Sequence, residues 1–142
     1  MKILIINGPN MNMLGVREPE VYGAQSYGDL LDCISGAAAE LGAEPVFFHS
    51  NSEGAIIDAI QDALGVFDGI VINPAAYAHT SIAIADALKA VGIPAVEVHL
   101  TDINAREQYR RFSYTSDACI KTICGKGFEG YREALRVLVR GA

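Results

Sequence analysis

Lys2-Ile3-Leu4-Ile5-Ile6-Asn7-Gly8-Pro9-Asn10 opens the chain with an unbroken apolar run, then a polar residue and a turn. The run does not alternate, so both faces of the strand it forms must be covered, as in a parallel sheet with helices on either side. Runs of similar length recur at Pro45–His49, Gly69–Asn73, Ala95–His99 and Ala118–Cys124. Helical stretches fill the gaps. Ser26 caps Tyr27–Leu41, which Gly42 stops; Ser52 or Glu53 opens a helix reaching Leu64 or Gly65. Thr80 or Ser81 opens a third that Gly92 ends ahead of Pro94, and a last one runs from Glu129 to Arg140.

Alternating strands and helices make this an α/β chain. Five strands within 142 residues predict a single domain over residues 1–142, a flavodoxin-like, doubly wound parallel sheet in three layers (α/β/α). Hydrophobic residues make up 51% of it, which excludes disorder. The net charge of −6 gives no general attraction for a nucleic-acid backbone or an anionic membrane, so an anionic ligand must be gripped locally. No apolar run approaches the eighteen or so residues that span a bilayer, and the opening run is too short for a signal-peptide core. A cytoplasmic location is the expectation. Cys33, Cys119 and Cys124 are an odd set without CxxC spacing. With Cys119 and Cys124 read on opposite faces of the fifth strand, neither a metal site nor a disulfide framework is expected.

Ligands of open parallel sheets bind beyond the carboxyl ends of the strands. Polar residues gather there: Asn7 and Asn10, then His49, Ser50 and Asn51, then Asn73 and His79 to Ser81, then His99, Thr101 and Asp102. All three histidines lie at this end, whereas the four lysines do not, which argues against an imine mechanism. The connection from Asn7 to Ala24 far exceeds the usual two to six residues or so and reads as a working lid. Arg106 and Arg110 share one face if their segment is helical, with Arg111 turned away. Two guanidiniums suit a carboxylate; the alternative is a solvated face paired with Glu107 or Asp102. No GxSxG, HExxH or Walker A motif is present, and no GxGxxG follows the first strand. A tyrosine beside an arginine, histidines at a cleft and amide side chains suit proton abstraction next to a carbonyl.

Ile6-Asn7-Gly8-Pro9-Asn10 leading into Leu14-Gly15-Val16-Arg17-Glu18-Pro19 and Tyr22-Gly23 resembles the opening motif of the type II 3-dehydroquinate dehydratases. Ser50 to Gly54, Asn73-Pro74-Ala75-Ala76-Tyr77-Ala78-His79-Thr80-Ser81, Glu97-Val98-His99, Arg106-Glu107 with Arg110, and the Gly-rich turn Gly127 to Tyr131 resemble the family's later blocks. The resemblance covers nearly the whole chain.

It implies a hydro-lyase of the shikimate or quinate pathway that reversibly dehydrates 3-dehydroquinate to 3-dehydroshikimate through an enolate, without metal or cofactor. Tyr22 is then the base; because an ordinary tyrosine has a pKa of about 10, it needs the cation that Arg17 supplies. Asn10, through a held water, meets the enolate oxygen. His99 protonates the departing hydroxide, since an ordinary imidazole titrates near pH 6.5 or so, and Glu97 orients its ring. Asn73, His79, Leu100, Thr101 and Arg110 hold the substrate, and Asp86 approaches from a neighbouring subunit. The resemblance also implies a dodecamer, a tetramer of trimers.

Departures from the family pattern are Thr101 for serine, Met11 and Met13 for leucine, Ala75 and Ala78 for glycine and threonine, Asp102 for asparagine and Gln61 for histidine. None removes a proposed catalytic group. His49 is unusual for the family and reads as structural. The competing class is a flavodoxin-like ligand-binding or receiver module without turnover. Asn7 and Asn73 stand where a receiver needs acids, and the chain has no tryptophan.

Overall fold

The computed structural model describes residues 1–16, 20 and 24–141. Its elements run β1 (Lys2–Asn7), α1 (Tyr27–Leu41), β2 (Glu44–His49), α2 (Glu53–Asp62), β3 (Gly69–Asn73), α3 (Ile82–Val91), β4 (Ala95–His99), β5 (Lys121–Cys124) and α4 (Glu129–Arg140). All neighbouring strands are parallel, in the order β2-β1-β3-β4-β5. This is the flavodoxin-like order predicted from the sequence.

The apolar runs fail to alternate because both faces of the sheet are covered. Ile3, Ile5, Val71, Val96 and Val98 pack with Leu30 and Ile34 of α1 and Tyr131 and Leu135 of α4. The intervening Leu4, Ile6, Ile70, Ile72 and Ala95 pack with Ile56 and Ile60 of α2 and Ile84 and Leu88 of α3. Each fully buried isoleucine or leucine stabilises the fold by roughly 1.5–3 kcal/mol relative to exposure. Helix entry and exit follow the caps. Ser26 and Asp29 form a reciprocal capping box at α1, Ser52 caps α2, and Ser81 rather than Thr80 caps α3. Gly42 and Gly92 end α1 and α3 in the left-handed conformation.

Two segments differ from the sequence reading. The expected fifth strand from Ala118 begins only at Lys121, because Thr115–Ala118 forms a 3-10 turn. Ser113 closes that turn: its hydroxyl accepts from Ser116 N–H at 3.2 Å, and its carbonyl accepts from the Ser116 hydroxyl at 2.9 Å. Cys119 therefore precedes the strand and does not face away from Cys124 across it; Cys33, Cys119 and Cys124 are free thiols. The segment around Arg106 and Arg110 is not one helix but two 3-10 turns, Ile103–Ala105 and Gln108–Arg110. Asp102 accepts from Asn104 N–H at 3.0 Å and diverts the backbone from helix, and Arg106 is extended between the turns.

The winding leaves β1 toward β2 on one side and toward β3, β4 and β5 on the other. Connections therefore diverge at the carboxyl ends of β1 and β3, where a crevice opens. Register puts Asn7 beside both Asn73 and His49 at that edge. Among the described residues no helix is long and apolar enough to cross a membrane.

Candidate active site

A cleft of about 160 Å³ lies in that crevice and extends over the end of β4. Asn10, Asn73, His79, His99, Leu100, Thr101, Arg106 and Arg110 all line it, with Pro9, Met11, Ala75, Ala76 and Ile103. Seven of the residues expected at the site are thus brought together: Asn10, Asn73, His79, His99, Leu100, Thr101 and Arg110. Arg17 and Tyr22, and with them much of the expected lid, lie outside the described residues. Asp86 is exposed on α3 and does not line the cleft of its own chain.

The floor depends on Gly8. Its N–H donates to the Asn73 carbonyl at 2.8 Å, and a Cβ there would sit 2.6 Å from the Pro74 carbonyl oxygen. Only glycine lets the two strand exits cross this closely. Asn10 then adopts a left-handed conformation with φ 68°, tolerable for asparagine, and its N–H donates to Asn51 Oδ1 at 3.0 Å. Asn73, 3% exposed, accepts from Ala75 N–H at 3.0 Å through Oδ1 and donates from Nδ2 to Tyr131 Oη at 3.1 Å. The turn-ending role of Asn73 and its place on the cleft wall are therefore both realised. Ala75 carries φ 52°, a left-handed backbone conformation that favours glycine over alanine.

Glu97 and His99 are two apart on β4, hence on one face. His99 Nε2 lies 2.7 Å from Glu97 Oε2, and the carboxyl group is fully buried. Ser113 donates to Oε2 at 2.7 Å and Thr115 donates to Oε1. Burial alone pushes the Glu97 carboxyl up, but hydrogen bonds from His99, Thr115 and Ser113, with the charge on His99, outweigh it and hold the group below the usual carboxylate range. An anionic Glu97 fixes hydrogen on His99 Nε2, so Nδ1 is the ring nitrogen left for the cleft. His79 stacks on His99 with centroids 6.1 Å apart. Its Nδ1 is 2.8 Å from the Phe112 carbonyl, which only accepts, so Nδ1 carries hydrogen and Nε2 is the free atom.

Arg106 and Arg110 reach the cleft despite the missing helix. Glu107 sits between them, 3.6 Å from Arg106 Nε and 3.1 Å from Arg110 Nε, so the pairing with Glu107 that was the alternative to a carboxylate clamp is present. Asp102 instead caps its turn. The contact at Arg110 Nε lacks hydrogen-bond alignment. Arg106 Nη1 also approaches Thr101 Oγ1 at 3.4 Å. Two cations against one carboxylate leave a positive wall. The Gly127 N–H donates to the Leu100 carbonyl at 3.0 Å, tying the glycine-rich turn to the same wall. His49 stays off the cleft, its ring edge-on to Tyr27 at 5.7 Å, in keeping with a structural role. Ser113, Thr115 and Tyr131 were not singled out as site residues in the sequence. No local pattern marks the two hydroxyls, whereas Tyr131 did fall within a family-like block.

This arrangement has relatives. The family described as dehydroquinase class II matches residues 1–139. A 3-dehydroquinate dehydratase of Clostridium acetobutylicum is 55% identical over 131 residues, 92% of this chain and 91% of the relative. One from Geotalea daltonii is 53% identical over 138 residues, 97% of this chain and 96% of the relative. The crystal structure of type II dehydroquinase from Butyrivibrio crossotus superposes with a TM-score of 0.95 at 47% identity, covering 97% of each chain. With a family match over all but the last three residues, and a shared fold that includes the strand ends from which the cleft is built, the chain belongs to the class II dehydroquinases.

Proposed function

We propose that this chain is a hydro-lyase that reversibly dehydrates 3-dehydroquinate to 3-dehydroshikimate, in the shikimate or quinate pathway. The observation that carries the reading is the Glu97–His99 pair opening on a cleft walled by two guanidiniums, in a chain of dehydroquinase ancestry. A small carboxylate-bearing ketone with hydroxyl groups fits this mixture of amide, imidazole and guanidinium donors.

Tyr22, as phenolate beside the Arg17 cation, removes the proton next to the ketone. The electron pair moves onto the carbonyl oxygen, where Asn10, through a held water, stabilises the enolate. Collapse of the enolate expels hydroxide from the adjacent carbon. His99 protonates it to water, and the proton on Tyr22 returns to His99 through solvent. Glu97 keeps the ring aimed. Arg110 takes the carboxylate, and Asn73, His79, Leu100 and Thr101 hold the rest of the substrate. No lysine lines the cleft among the described residues, so the reaction runs without an imine. No cofactor takes part in these steps.

Asp86 is exposed and away from its own cleft, so it serves a site only from a neighbouring copy, in a dodecamer built as a tetramer of trimers. We assign residues 1–142 to one catalytic domain working in the cytoplasm. The test is the ultraviolet absorbance of the conjugated enone formed from 3-dehydroquinate. Steady turnover supports the reading; correctly assembled protein without turnover rejects it.

A further inference from the structure

Asn73 meets the cleft with only part of its hydrogen-bonding capacity free. Its Oδ1 accepts from Ala75 N–H, and one hydrogen of Nδ2 goes to Tyr131 Oη. The other polar contact of Nδ2 is the Met11 sulfur at 3.5 Å, a weak acceptor that a ligand oxygen easily replaces. Tyr131 lies on α4, fully buried, 58 residues beyond Asn73, and does not line the cleft. Its hydroxyl donates to Asn7 Oδ1 at 2.6 Å, and Asn7 Nδ2 in turn approaches Tyr27 Oη at 3.3 Å. The order of donors is therefore fixed: Asn73 to Tyr131, Tyr131 to Asn7, Asn7 to Tyr27. Burial raises the Tyr131 hydroxyl far above its ordinary range, against the opposing effect of the Asn73 bond, so its hydrogen stays on and keeps pointing at Asn7.

We propose that Tyr131 is a positioning residue which, held by Asn7, accepts from the Asn73 amide and so makes Asn73 present an N–H, not a carbonyl, to the substrate. A flipped amide would set a second donor against Ala75 N–H and turn a carbonyl toward the binding space. The Tyr131 oxygen, with its own hydrogen committed to Asn7, offers only a lone pair to Asn73 and favours the unflipped state. This inference rests on the substrate-holding role proposed for Asn73.

The test is a double-mutant cycle in the full chain, with 3-dehydroquinate as substrate. Tyr131→Phe is expected to raise KM about tenfold while kcat falls by no more than about threefold, and to change kcat/KM less than about twofold once Asn73→Ala is present. Asn7→Leu, which does not touch the cleft, deprives the Tyr131 hydroxyl of its acceptor and makes it compete for Asn73 Oδ1. It is expected to raise KM in the same direction, again only when Asn73 is intact. A KM unchanged in either folded single variant, or equal losses with and without Asn73, overturns the proposal, because a packing role would lower the melting temperature in both backgrounds alike. Wild-type protein that fails to turn over 3-dehydroquinate would reject the functional reading instead.

Discussion

Glu97 Oε2 lies 2.7 Å from His99 Nε2, and the carboxylate is locked in turn by Ser113 and Thr115 from the segment before β5. The imidazole at the cleft is thus held by a buried anion that is itself held. Replacing the anion by an amide keeps the shape and loses the charge.

Glu97→Gln should therefore lower kcat by about ten- to a hundredfold, since a proton-transfer group loses the partner that fixes its tautomer. KM should change little. Steady-state kinetics across pH 6–9 or so checks this, and a wild-type kcat would show that His99 needs no such partner.

The same carboxyl links stability to acid. Because folding lowers its pKa below the ordinary value of 4.5, its contribution is complete above that pH and disappears as pH falls through the lower folded value. Melting temperatures measured from pH 7 down to about 3 should fall more steeply for wild type than for Glu97→Gln. Parallel curves would mean that the buried carboxyl is not anionic in the fold.

In the proposed mechanism Tyr22 and Arg17 act chiefly on the transition state, so Tyr22→Phe and Arg17→Ala should each cut kcat by at least about a hundredfold while a substrate-like carboxylate still binds. Rates are read from enone absorbance and binding from calorimetry. Near-normal turnover in either variant would remove that residue from the mechanism.

Cys119 packs against the α2 and α3 side of the sheet, where burial first, and then the charge of Glu97, push its thiol up to about 12. It should resist iodoacetamide at pH 8 or so until the protein unfolds, because the thiolate is the reactive form. Mass mapping of alkylated peptides distinguishes this from rapid labelling, which would indicate that the Thr115–Ala118 turn opens readily.

Strands β1, β3 and β4 were legible to the residue because each run stops at a polar side chain, Asn7, Asn73 or His99, of which the last two also line the cleft. The capping serines and terminal glycines were legible for the same local reason. Ala118-Cys119-Ile120 looked like strand and became turn and approach, because Ser113 and Thr115 bond to a backbone turn and to Glu97 on another strand. Arg106 and Arg110 would share one face if their segment were helical. They reached the cleft through two short turns instead, since the local pull of Asp102 on Asn104 overrode helical spacing.

By itself the sequence determined the α/β class, the parallel sheet covered on both faces, the gathering of polar residues at one edge and, by resemblance, the chemistry. These follow from short-range rules of apolar runs, caps and turns that each segment carries alone. Only the tertiary structure decided that Glu97 is anchored by Ser113 and Thr115, that Glu107 stands between two guanidiniums, and that Tyr131 grips Asn73 and Asn7 across 58 and 124 positions of chain. The reason is physical. A buried polar group must find a partner wherever folding brings one, and the partner's position is set by how helices and strands pack, not by the residues beside it in the chain.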